Sequence, residues 1–140
     1  MSYTLSKKSL SKLSECDVDL QELMQEAIKD SPYDFGIMSG YRSPVKQNEL
    51  YQKGRSVDGG IVTYCDGYIK KSKHNNSPSL AVDIMCYAGG KITWSPVVYL
   101  EVGTHIMEIA ETLFEKGIIN NRISWGGHWH KFKDWPHFQI

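Results

Sequence analysis

The chain has 140 residues, 41% of them hydrophobic and 23% charged, and its sixteen basic side chains are balanced by sixteen acidic ones. That length and composition suit one globular domain over residues 1–140 with a core of its own, and exclude a disordered tract. A formal net charge of zero argues against broad attraction to nucleic acid or to an anionic membrane surface.

The first twenty residues, "MSYTLSKKSLSKLSECDVDL", hold lysines but no continuous apolar stretch, so no secretory leader is expected. No apolar run approaches the ~20 residues a bilayer span needs, and stable membrane insertion is not expected. A short amphipathic piece at about 6–14 precedes a helix within 17–30, where Leu20, Leu23, Met24, Ala27 and Ile28 recur at helical spacing behind Asp17 or Asp19 as caps. A strand over about 34–39 ends at Gly40, and "SPVKQNELYQKG" reads as a helix capped by Ser43, begun by Pro44 and stopped by Gly54. Residues 55–79 form a long irregular stretch with one short strand expected at "IVTY", and loops of that length inside a compact domain are more often functional than idle. "LAVDIM" is the next strand and "YAGGKITW" a returning hairpin. The longest helix, at about 97–116, has Val102, Ile106, Ile109, Ala110, Leu113 and Phe114 as its buried stripe and stops at Gly117. The tail supplies two short strands around a Gly-Gly turn. The sum is an α+β domain, a small antiparallel sheet packed with helices.

Cys16, Cys65 and Cys86 are odd in number and lack CxxC spacing, which reads as free, partly buried thiols. The chemistry-bearing residues lie elsewhere. Asp83 stands in mid-strand between Ala81–Val82 and Ile84–Met85, where a carboxylate is costly to bury unless something cationic holds it. His74, nine positions upstream in "SKHNNSPSLAVDIM", pairs with it as a nitrogen and oxygen donor set that suits zinc. The plainer alternative is a buried salt bridge at Asp83 and a solvated His74. In "KDWPHFQI" Asp134 precedes His137 by three residues, with Pro136 holding the bend. A catalytic zinc needs three protein ligands, an open position for water and a carboxylate to take the water's proton. His74, Asp83 and His137 can supply the ligands and Asp134 the base. Arg42 lies between a strand end and a helix start, where a fixed guanidinium is suited to stabilising an oxyanion, although most arginines make surface salt bridges.

Three blocks, "GYRSPVKQNELYQKGR", "SKHNNSPSLAVDI" and "SWGGHWHKFKDWPHFQ", occur in an order that resembles the zinc-dependent D,D-carboxypeptidase and L-alanyl-D-glutamate endopeptidase family of peptidoglycan peptidases. Bacteriophage endolysins of that family are the nearest in size and form, and the resemblance spans about residues 10–140. It implies His74, Asp83 and His137 as zinc ligands, Asp134 as the acidic base and Arg42 as the oxyanion-stabilising group. Gln47 and Ser72 match recurrent positions that contact substrate or support the site. Where the family often has aspartate this chain has His128, an added imidazole expected to bear on the metal's surroundings or on substrate preference.

The resemblance further implies peptidoglycan stem peptides as substrate, cleaved at L-Ala–D-Glu by a lytic endopeptidase or at D-Ala–D-Ala by a carboxypeptidase. An endolysin of this kind is a monomer made in the host cytoplasm without a leader. It acts on the wall, in the periplasm, after a separate holin-like protein opens the membrane. Two rivals stand beside this reading. His128 and His130, on one face of a strand, form with His137 a different metal set, though it leaves Asp83 without a role. A non-catalytic, zinc-stabilised wall-binding module would use a closed four-ligand site and have no need of Asp134 or Arg42.

Overall fold

The computed structural model describes residues 2–140. Two helices lead: α1 (Lys7–Leu13), capped by the Ser6 hydroxyl accepting from the Ser9 N–H at 3.1 Å, and α2 (Val18–Ala27), capped by Asp17. After β1 (Phe35–Ser39), Ser43 caps and Pro44 opens α3 (Pro44–Gln52), a first turn that needs no N–H from proline. The long α4 (Pro96–Glu115) turns Val98, Tyr99, Val102, Ile106, Ala110 and Leu113 inward, and Gly117 ends it at φ +72°. Ile109 and Phe114, expected on its buried stripe, are only half-buried against the core.

The sheet runs β1–β2–β5–β4, with β2 (Ala81–Ala88) and β5 (His137–Gln139) central and β4 (Ser124–Trp125) at one end. Every pairing is antiparallel, and β3 (Lys91–Thr93) returns along the far half of β2 through Gly89 and Gly90, both at positive φ as a tight hairpin turn requires. The α+β expectation therefore holds.

Strand alternation separates two kinds of residue. Val82, Ile84 and Cys86 of β2, Phe35 and Ile37 of β1 and Phe138 of β5 join the core built with α1, α2 and α4. Asp83 and His137, which are register partners, have the other parity. Ser39 would belong by parity to the core. The register slips between Ile37, opposite Ile84, and Ser39, opposite Asp83, so that one extra residue at Met38 turns the Ser39 hydroxyl onto the face of the carboxylate.

Two local expectations are corrected. "IVTY" at 61–64 is not a strand, because Ile61, Val62 and Tyr64 are exposed and Thr63 is drawn inward by side-chain hydrogen bonds. The glycines after β4 open a short 3-10 turn (Gly126–His128) rather than linking two strands directly. Both are dictated by close approach: a Cβ on Gly126 would run into the Asp134 backbone, and one on Gly127 into the Trp125 indole.

Candidate metal centre

Three chain segments deliver three donor groups to one point. Asp83 comes from β2, His137 from the adjoining β5, and His74 from a 3-10 turn (Lys73–Asn75). Their donor atoms lie within 4.8 Å of one another, and the three residues are only 9%, 6% and 2% exposed. The turn carrying His74 is irregular yet firmly held. The Ser72 side chain caps it, the Arg42 N–H donates to the His74 carbonyl at 2.8 Å, and the Asn75 amide donates to the Arg42 carbonyl at 2.8 Å.

The hydrogen bonds on the outer nitrogens decide what the inner ones present. His74 Nδ1–H donates to the Gly40 carbonyl at 2.7 Å, and His137 Nε2–H donates to Gln139 Oε1 at 2.8 Å. Both acceptors lack a proton to give back, so each outer nitrogen is the protonated one and each inner nitrogen of a neutral ring offers a lone pair. Those lone pairs face a carboxylate: His74 Nε2 is 3.3 Å from Asp83 Oδ2, and His137 Nδ1 is 3.0 Å from Asp83 Oδ1. His74 Nε2 is buried without a hydrogen bond. Three electron-pair donors converging with an orphaned nitrogen among them are the chemistry of a divalent-cation site, and two imidazoles with one carboxylate match zinc's preferences. Without an ion a proton does part of that work. Burial opposes charge on His137, but its hydrogen bond to Asp83 wins and raises the ring's pKa. Burial would likewise raise the Asp83 carboxyl, yet the two imidazoles outweigh it and hold the group ionised, well below the usual carboxylate range.

The donors sit in a cleft of about 380 Å³ that is also lined by Arg42, Ser72 and Asp134. Asp134 Oδ2 is 3.9 Å from His137 Nδ1, and burial first, then the Asp83 charge, raise its pKa. Arg42 Nη2 lies 3.6 Å from Asp83 Oδ2, and its Nη1 donates to Gln47 Oε1 at 2.8 Å. Gln47 is wholly buried, and its amide nitrogen donates to Thr63 Oγ1 and the Cys65 carbonyl. His128 is exposed, with its ring edge-on to Trp125 at 4.8 Å, and it is not among the residues lining this cleft. Nor does it share a strand with His130: the 3-10 turn ends at His128, both side chains are exposed, and among the described residues the one cluster able to hold a metal is His74, Asp83 and His137. His105 of α4 is half-buried at the edge of the core, bonded through Nε2 to the Ala27 carbonyl.

Gln139 and Ser39 were not singled out from the sequence. Gln139 had a signal, since two residues beyond His137 on a strand it must share that histidine's face. Ser39 had none, because the slip at Met38 inverts its parity.

Comparison with known proteins places the chain among relatives. The chain is 36% identical over 135 residues to the peptidoglycan L-alanyl-D-glutamate endopeptidase CwlK of Bacillus subtilis, covering 85% of this chain and 68% of that one. It is 32% identical over 95 residues to the L-alanyl-D-glutamate peptidase of Escherichia phage T5, covering 68% of this chain and 62% of that one. The crystal structure of the Serratia marcescens L-Ala D-Glu endopeptidase ChiX matches with a TM-score of 0.74 and 27% identity, over 100% of this chain and 90% of that one. Residues 1–138 fit the sequence model of the phage L-alanyl-D-glutamate peptidases, and the chain belongs to that family.

Proposed function

We propose that the protein is a zinc-dependent endopeptidase that cuts the L-alanyl–D-glutamate bond of peptidoglycan stem peptides, serving a phage as an endolysin in host lysis. The observation that carries the reading is the pair of imidazoles whose outer N–H groups are fixed by Gly40 and Gln139, leaving both inner nitrogens aimed at Asp83. His74, Asp83 and His137 are the ligands in this reading. Bound there, zinc supplies a Lewis acid for the scissile carbonyl and a water acidic enough to attack near neutral pH.

The remaining steps belong to side chains. Asp134 takes the attacking water's proton and passes it to the departing amine, and its raised pKa suits a carboxyl that must both accept and release a proton. The Arg42 guanidinium, set by Gln47 and Ser39, faces the charge that develops on the carbonyl oxygen. Ser72 works through the turn it caps, and Gln47 through Arg42. The names of the family and of its relatives favour the endopeptidase over the D-Ala–D-Ala carboxypeptidase. No helix among the described residues is long and apolar enough to cross a membrane, which suits delivery to the wall through a lesion made by a separate holin-like protein.

Purified muropeptides incubated with the zinc-loaded protein should yield new amino-terminal D-glutamate by mass spectrometry. Release of D-alanine alone would replace the endopeptidase with the carboxypeptidase, and intact substrate would overturn both. One zinc per chain should be lost in His74→Ala and kept in His128→Ala, and the reverse pattern would overturn the ligand set.

A further inference from the structure

A second cleft, of about 310 Å³, adjoins the first and shares Val62, Thr63 and Ser72 with it. It shares Asp134 and His137 with the first as well, so the two clefts adjoin at the candidate centre as two halves of one site.

The halves differ in charge. The first holds Arg42, whose guanidinium is already engaged by Gln47, Ser39 and Asp83. The second is flanked by Lys71 and Lys73, both exposed, and neither is in an ion pair with a carboxylate among the described residues. Their backbone is well placed to aim them. Lys73 opens the turn that carries His74, and its carbonyl accepts from the N–H groups of Asn76 and Leu80.

We propose that this second cleft receives the leaving half of the substrate, and that Lys71 and Lys73 select a free carboxylate on its first residue. The inference rests on the peptidase reading above and adds a direction and a chemical preference to it. Glutamate has two carboxyl groups and a peptide chain continues through only one. The residue whose amine departs therefore carries a free carboxylate close to the scissile nitrogen. The acyl half begins with alanine, whose side chain is an uncharged methyl. An ammonium pair unclaimed by the protein complements the first of these halves and not the second. Asp134, the proposed proton donor to the departing amine, lines this cleft as well as the first.

The test compares two synthetic muropeptides that differ only in whether that carboxylate is free or amidated. Each is hydrolysed by the zinc-loaded wild-type protein, by the Lys71→Gln/Lys73→Gln double variant and by Lys71→Arg/Lys73→Arg. The wild type should favour the free acid, chiefly through KM. The ratio of kcat/KM for acid over amide should fall about tenfold in the glutamine variant and return in the arginine variant, as expected of charge-assisted contacts. Rising salt should erode the wild-type ratio. Melting curves and zinc content confirm that the variants are folded and loaded, as expected for exposed lysines. Cleavage at L-Ala–D-Glu with the same ratio in all three proteins, or equal use of both peptides by the wild type, overturns the inference and leaves the peptidase reading standing. Cleavage of neither peptide by the wild type overturns both.

Discussion

The Asp134 carboxyl meets the cleft from a backbone that is gripped from behind, its N–H donating to the Gly126 carbonyl at 3.0 Å and its own carbonyl accepting from the His137 N–H at 3.2 Å. That anchoring separates binding from chemistry. Asp134→Asn keeps the shape and removes the proton acceptor, so zinc content should stay at the wild-type level while kcat falls by about 10²- to 10⁴-fold. Zinc titration beside steady-state hydrolysis checks this, and full turnover in the variant would remove Asp134 from its role. The thiols make a second test at this scale. Burial pushes both Cys16 and Cys86 from 9.0 up to about 12, because the charged thiolate is disfavoured in the core. A group whose folded pKa is raised adds stability that is whole below the unfolded value and is lost as pH climbs through the folded one. The melting temperature should therefore decline from about pH 9 towards pH 12, and an aromatic disulfide reagent at pH 8 should titrate the half-buried Cys65 fast and the other two only at the rate of unfolding. Three equally fast thiols would contradict the packing.

Among the elements, helices were the more legible because their signals are local. Ser43 and Pro44 announce α3, and Leu20, Leu23, Met24 and Ala27 announce α2, before any tertiary contact is considered. The meeting of His74 and His137 at Asp83 was legible too, since a carboxylate between Val82 and Ile84 has few cheap explanations. Features set by distant contact were not. The slip at Met38 that turns Ser39 towards Asp83 leaves no trace in composition. Gln47 stood out only through the family resemblance, and its burial beneath Thr63 and Cys65 is set by residues 16 and 18 positions away. The two glycines after Trp125 looked like a turn, and their absent side chains instead admit an indole and a neighbouring backbone. Gly103 of α4 also lies against Trp125 with no room for a Cβ. Gly103→Ala, innocuous by helix propensity, should thus destabilise the fold by about 1–3 kcal/mol through overpacking. Denaturant titration reads that loss, and a neutral or stabilising result would mean that the helix and strand are not so closely apposed.

At the scale of the whole molecule, the three candidate donors hang on a hydrophobic core that does not include them. Among the described residues, twenty-two buried side chains form it without any of the three donors, and the outer nitrogens of both imidazoles are fixed by the protein itself. Chelation should leave the far-ultraviolet circular dichroism unchanged and lower the melting temperature, since zinc at a hundred times its dissociation constant stabilises by about 2.7 kcal/mol. Loss of secondary structure on chelation would instead make the ion a folding nucleus, as in small zinc-dependent domains. The alternation of β2 and β5 has a sharper implication. Each donor on these strands has a core side chain as its immediate neighbour along the chain, Val82 and Ile84 around Asp83 and Phe138 beside His137. The backbone acts there as a lever with two short arms. A void carved among the apolar groups would tip it and arrive at the opposite surface as a misaimed nitrogen or oxygen, so substitutions far from any substrate should register as changes in ion affinity before they register as unfolding.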